Sequence, residues 1–242
     1  PRLASAAALF LALGTGVALG WPRTAHYATA HGAPRTFTLA DGSVVHLNAE
    51  SALTTRFSLL RRRVALERGQ ASFVVADERR PFSVHAAGLL VRDIGTTFDV
   101  SLLREQARIG VVEGRVQVSA EADDARLLAD LSAGQGARID YHDHEVRLAS
   151  EDTEAMTGWW EGRIVFRDEP LREVADQFNR LNTVRIHADD AAGALRLTGN
   201  LAADDVDSLR AFLQQQPGLQ TTLDSAGIRV AAVASAKGNR VR

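Results

Sequence analysis

Ile94-Gly95-Thr96-Thr97-Phe98-Asp99-Val100 is the stretch on which the reading of this chain turns. Ile94, Thr96 and Phe98 alternate with other residues at the period of two that marks a strand with one buried face. Gly95 interrupts that strand and reads as a bulge. The pattern repeats on both sides. Phe82–Ala86 and Leu89–Asp93 precede the stretch, separated by Ala87-Gly88, and Thr97–Leu102 continues it. Ala107–Val112 and Arg115–Ser119 follow, separated by Glu113-Gly114. Short strands divided by glycine turns argue for an all-β architecture.

Farther out the same grammar holds from Arg35 to about Leu148. Arg35–Leu39 and Val44–Leu47 flank Asp41-Gly42-Ser43, a tight hairpin turn able to supply positive φ. Val64–Leu66, Gln70–Val75 and Ala137–Tyr141 complete the set, with Glu67-Arg68-Gly69 and Ala133-Gly134 as further turns. No segment here carries an apolar face at helical spacing for three turns. The expectation is a sandwich or roll over residues 32–150. Leu66–Gln70 and Leu131–Gln135 share Leu-x-x-Gly-Gln, which reads as two similar turns rather than a repeat.

Glu151–Gly158 is acidic and polar and reads as a linker, after which the periodicity changes. Arg163–Phe166 is a strand, and Asp168-Glu169-Pro170 opens a helix. Leu171, Val174, Ala175, Phe178 and Leu181 form one helical face. Val184–His187 and Leu195–Leu201 return to strand. Asp204 or Asp205 caps a second helix bearing Val206, Leu209, Phe212 and Leu213. Pro217-Gly218 ends it, and Leu219–Leu223 and Ile228–Val233 close a hairpin. The expected fold over 159–233 is β-α-β-β-α-β-β, a small open sheet with two helices on one face.

The chain has 242 residues, 45% of them hydrophobic, a formal net charge of −2 and no cysteine. That composition supports a core, provides no basic field for nucleic acid, and excludes disulfides and thiolate chemistry. Leu3–Trp21 contains no charged residue. As a helix it would reach about 28 Å, near the ~30 Å hydrocarbon core. Trp21 suits the interface and Pro22 stops the helix. We read residues 3–21 as a transmembrane helix in preference to a signal peptide cleaved near Ala28-Thr29-Ala30. Arg2 on the near side places an upstream segment in the cytoplasm and the remainder outside.

Four signatures occur in order: Leu39–Asn48 (Leu-Ala-Asp-Gly-Ser-Val-Val-His-Leu-Asn), Arg80-Pro81-Phe82-Ser83-Val84, Ile94–Val100, and Val112-Glu113-Gly114-Arg115-Val116. Together they resemble the FecR family of membrane-spanning regulators in bacterial cell-surface signalling. One departure is Gln70, where a glutamate is common. Residues Trp160–Phe166, Asp168, Pro170-Leu171, Val174 and Asn179-Arg180 are similar to the secretin and TonB short N-terminal domain that follows FecR regions. Leu181 stands there in place of a frequent aromatic.

The resemblance implies an anti-sigma regulator in the inner membrane, with most of this chain periplasmic and no cofactor. Its partners would be the signalling domain of a TonB-dependent outer-membrane receptor, typically for an iron chelate, and a cytoplasmic extracytoplasmic-function sigma factor bound through the upstream segment. Some FecR-like regulators carry Gly-Thr at Gly95-Thr96 and cleave themselves there. The chemistry is sound: the threonine hydroxyl attacks the preceding carbonyl, giving an ester that water hydrolyses. Two other readings stay open, an adaptor module of a secretion or pilus system and a periplasmic glycan-active or glycan-binding protein. Phosphate loops, dinucleotide fingerprints and Gly-x-Ser-x-Gly are absent from the sequence, so enzymatic turnover is not expected.

Three further groups have ordinary explanations. His142-Asp143-His144 suits a polar hairpin better than a metal site. Asp204, Asp205 and Asp207 suit a helix N-terminus. Trp159-Trp160 suits packing at a domain junction.

Overall fold

The computed structural model describes residues 23–121 and 126–233. The described protein is mainly β. Fourteen strands fill its first part: β1 Arg23–Ala28, β2 Arg35–Thr38, β3 Val44–Leu47, β4 Ala52–Phe57, β5 Arg62–Arg68, β6 Gln70–Val74 and β7 Phe82–Ala86, then β8 Leu89–Asp93, β9 Thr97–Leu102, β10 Gln106–Glu113, β11 Arg115–Ala120, β12 Leu127–Ser132, β13 Gln135–Asp140 and β14 Val146–Ser150. One seven-stranded sheet runs β1-β4-β5-β7-β8-β11-β12 and the other β14-β13-β10-β9-β6-β3-β2. Most neighbours are antiparallel; β5 and β7 are parallel.

Alternation explains the sandwich. Phe82, Val84 and Ala86 of β7 and Phe98 and Val100 of β9 are buried in one cluster shared by both sheets. The Phe73 ring lies 5.9 Å from Phe82 and 5.2 Å from Phe98, joining the sheets at their middle. Truncating one such ring to alanine costs about 3–5 kcal/mol.

Several strands fall outside the sequence expectation. β1, β12 and β14 are edge strands, and β4 lies beside an edge. The segment expected as a linker is helical: α1 covers Thr153–Thr157, capped by Asp152, whose side chain accepts from the Glu154 amide, and a 3-10 turn covers Gly158–Glu161.

The second part comprises β15 Arg163–Pro170, α2 Leu171–Leu181, β16 Ile186–Ala188, α3 Asp190–Gly193, β17 Arg196–Ala202, α4 Val206–Gln214, β18 Leu219–Asp224 and β19 Gly227–Ala232. The strands form two sheets rather than one open sheet, β15-β17 and β16-β19-β18. Phe166, Leu171, Phe178, Leu209, Leu213 and Ile228 lie in a common core. Asp168-Glu169-Pro170 leads into α2 as expected, with Pro170 at its N-cap, but its residues also belong to a strand. They end β15, with Asp168 at φ +47° where the register to β17 shifts between Phe166 and Glu169. Such a bulge re-aims the next side chain, here Glu169.

Among the described residues no helix is long and apolar enough to cross a membrane, and Leu3–Trp21 lies outside them.

Candidate functional site

The chain crosses repeatedly from one sheet to the other, and one of those crossings is the Gly-Thr bond. β8 ends at Asp93 in one sheet and β9 begins at Thr97 in the other, so Ile94-Gly95-Thr96 makes the whole passage. Gly95 supplies the reversal with φ +78°, a conformation that costs glycine little. Its carbonyl rests on Gly114, where a Cβ would fall 2.2 Å from the Gly95 oxygen. The bulged strand expected over these residues is therefore a cross-sheet turn.

Thr96 is buried, and its hydroxyl donates to the Asp93 carboxylate. Burial pushes the Asp93 carboxyl up, against the lowering effect of the Thr96 hydroxyl and the Gly95 and Thr96 amides. The turn thus holds a hydroxyl, the carbonyl one residue before it, and a carboxylate able to take the hydroxyl proton. Asp93 was not singled out from the sequence. The available signal was an acidic residue three positions before a hydroxyl, within local hydrogen-bond reach.

On the face of β6, β9 and β10 turned away from the sandwich core lies a buried polar chain. Asn48 Nδ2 donates to Gln70 Oε1 at 2.9 Å, and Gln70 Nε2 donates to both Asp99 carboxylate oxygens at 3.1 Å. Ser72 also donates to Asp99. Desolvation pushes the Asp99 carboxyl up, with nearby Arg108 opposing it. This arrangement gives Gln70 a reason: its amide offers a donor where a glutamate would set a second carboxylate against Asp99.

Arg108 carries the chain outward. Its guanidinium reaches Glu169 of the second part at 3.2 Å, and Arg138 meets Glu173 at 2.7 Å. Arg104 makes a bidentate pair with Asp176 at 2.9 and 2.8 Å. On the opposite flank Gly32 donates to the Arg180 carbonyl at 2.9 Å, and His31 Nε2 lies 3.1 Å from the Asn182 carbonyl. Between the two parts lies a cleft of about 450 Å³ lined by Gln70, Arg104, Arg108, Glu169, Arg172 and Arg180, among others. Burial lowers the pKa of Arg180.

Trp160 stacks on His46 of β3 at 4.4 Å, and burial pulls the His46 pKa down. Trp159 is buried and meets Trp160 edge to face at 5.3 Å. The tryptophan pair therefore packs the junction.

At the β13–β14 turn the Asp140 side chain accepts from the His142 amide and Asp143 from the Glu145 amide, at 2.7 Å each. No group of three or more His, Cys, Asp or Glu side chains is placed to hold a metal among the described residues. Asp205 caps α4 by accepting from the Ser208 amide at 2.9 Å, while Asp207 faces Arg210 at 3.7 Å.

No curated protein matches this chain. Two crystal structures, each of a "putative anti-sigma factor" from Parabacteroides distasonis ATCC 8503, share its fold. Their TM-scores are 0.77 and 0.75 at 23% identity, over 88% and 87% of this chain and 100% of each of theirs. The FecR protein family model matches residues 25–117. That span encloses the four signatures, from Leu39 to Val116, and both residues of the Gly95-Thr96 bond. Over residues 25–117, then, the chain is similar to the FecR protein family.

Proposed function

We propose that this chain is the membrane-spanning and periplasmic part of a single-pass anti-sigma regulator. It would relay occupancy of a TonB-dependent outer-membrane receptor to a cytoplasmic extracytoplasmic-function sigma factor. The observation that carries the reading is the FecR-like domain with an α/β unit docked on it, an arrangement shared along 88% of the chain with a structure named as a putative anti-sigma factor. The uncharged run Leu3–Trp21, with Arg2 before it, supports one inner-membrane crossing and an outward C-terminus.

The receptor's signalling domain would add a strand to an open sheet edge. β18 is the outer strand of its sheet, and its residues beyond Leu219 are exposed or half-exposed. Self-cleavage at Gly95-Thr96 belongs to the same proposal. Thr96 Oγ attacks the Gly95 carbonyl carbon, Asp93 takes the hydroxyl proton, the amide C–N bond breaks with the nitrogen protonated, and water hydrolyses the ester. One experiment tests the relay. In cells carrying the chain with its upstream segment, a reporter driven by the cognate sigma factor should respond to the receptor's ligand only while residues 159–233 are present. An equal response after their removal overturns the relay.

A further inference from the structure

β4 and β5 are joined by Ser58-Leu59-Leu60-Arg61, a turn that points two leucines into solvent: Leu59 is 66% and Leu60 77% exposed. The turn is firmly built. The Ser58 amide donates to the Arg61 carbonyl at 2.9 Å, the Leu60 and Arg61 amides donate to Ser58 Oγ at 3.3 and 3.2 Å, and Arg80 donates to the Ser58 carbonyl at 2.7 Å. These bonds fix the turn with both leucines outward, where their apolar surface stays in water.

Their surroundings are cationic. Arg23, Arg56, Arg61, Arg63 and Arg79 are exposed and form no ion pair among the described residues, while Arg80 is matched by Glu78. Asp77 is the exposed acid that remains in the adjoining loop. Arg56 and Arg63 are direct cross-strand partners. Like charges so placed repel unless an anion lies over them.

The position of the turn selects the anion. Arg23 opens β1 and pairs with Phe57, the last residue of β4, so the first described residue lies beside this turn. Pro22 alone separates Arg23 from the uncharged run that ends at Trp21, a covalent reach of about 7.6 Å. Two apolar side chains ringed by arginines, beside the point where the chain would leave a bilayer, match the chemistry of an anionic lipid surface.

We propose that the β4–β5 turn docks on the membrane, with Leu59 and Leu60 entering the headgroup region and Arg56, Arg61 and Arg63 binding anionic lipid phosphates. The location rests on reading Leu3–Trp21 as a membrane span; the docking chemistry does not.

The absence of cysteine makes a single labelled position clean. The full chain, reconstituted into phosphatidylcholine vesicles with or without phosphatidylglycerol, carries an environment-sensitive fluorophore at Leu60→Cys. Leu223→Cys, 60% exposed in the second unit, is the control. We expect a blue shift at position 60 but not 223, and quenching by nitroxide lipids. Both should be stronger with phosphatidylglycerol, weakened in about 1 M salt, where the Debye length is roughly 3 Å, and lost in Leu59→Glu or Arg56→Gln/Arg61→Gln/Arg63→Gln.

Carbonate extraction of the same vesicles reports the span separately. Carbonate-resistant protein with position 60 still in water overturns the docking and keeps the span. Extractable protein with position 60 quenched by anionic vesicles overturns the span and keeps the docking. A shift at position 60 that needs added receptor signalling domain rather than lipid makes the turn a protein contact and overturns the docking.

Discussion

Arg108 of β10 and Glu169 at the end of β15 meet at 3.2 Å with both residues buried, 61 positions apart in the chain. The bulge at Asp168 is what turns Glu169 toward the sandwich. Ionised groups withdrawn from water are tolerable only when paired, so this contact fixes how the two parts sit.

Glu169→Ala should therefore strip Arg108 of its main partner and destabilise the protein by about 3–5 kcal/mol. The double variant Arg108→Met/Glu169→Leu should recover most of that loss, because it removes both charges and keeps the volume. Urea midpoints of the two variants decide the matter; equal losses would show that packing, not charge pairing, holds the contact.

The Gly95-Thr96 bond gives a chemical prediction. Thr96→Ser should still cleave, while Thr96→Val, which keeps the β-branched shape, should not. Asp93→Asn should slow cleavage by about 10²–10⁴-fold if the carboxylate is the base. Because burial raises the Asp93 pKa, the rate should climb with pH to a plateau reached above the usual carboxylate range. Mass spectrometry of the purified protein should find a new N-terminus at Thr96, appearing faster with hydroxylamine. A flat pH profile would remove Asp93 from the mechanism, and intact protein after long incubation would remove the mechanism.

Asp99 predicts a pH slope of stability. Its folded pKa is raised, so the native state keeps a proton that the unfolded chain releases. Stability should then fall as pH rises from about 4, the unfolded aspartate value, through the folded pKa. Gln70→Glu adds a second buried carboxylate beside it and should steepen the fall, costing about 1–3 kcal/mol at neutral pH. Urea midpoints measured from pH 4 to 8, limits set by that roughly four-unit aspartate reference, read the slope. A midpoint that does not change with pH in the variant would contradict the argument.

For the receptor contact, Leu223→Pro is the informative change. The Val233 amide bonds the Gly218 carbonyl, and the Gly218–Val233 and Asp224–Gly227 pairs share one alternation. The Leu223 amide therefore faces outward from β18. Proline there removes a donor from the free edge and leaves the β18–β19 ladder intact. Binding of a receptor signalling domain, measured by calorimetry, should weaken at least tenfold with little change in unfolding midpoint. Unchanged affinity would move the interface to another edge.

What could be read in advance follows from the range of the interactions. Val44–Leu47, Phe82–Ala86, Leu89–Asp93 and Thr97–Leu102 are legible to the residue because each is bounded by turn chemistry and presents a clean buried face. β1, Arg-Thr-Ala-His-Tyr-Ala, was missed because an edge strand with one half-covered face carries weak alternation. α1 was missed although Asp152 two residues before Glu154 is a capping signal. At the candidate site the Gly95-Thr96 pair stands out in the sequence, and Asp93 lies within reach of local reasoning. Arg108 with Glu169, and Leu59 with Arg23, become neighbours only through strand order. Period and composition do not encode that order.

The contact of Gly32 with Arg180 has a mechanical consequence. Suppose the residues before Arg23 are held fast and a tug is applied to the second unit. Load that enters through His31 and Gly32 runs lengthwise along β1, about 20 Å of strand, to Arg23. Load that enters the sandwich through Arg108 and Glu169 reaches Arg23 across the β4–β1 pairing. β1 is bonded side by side to β4 over six register pairs. Those rungs resist together in shear instead of opening one at a time like a zip. The share carried by His31 and Gly32 bypasses Gly95-Thr96, so a protein already cut at that bond would still transmit a pull from its outer unit to its membrane end.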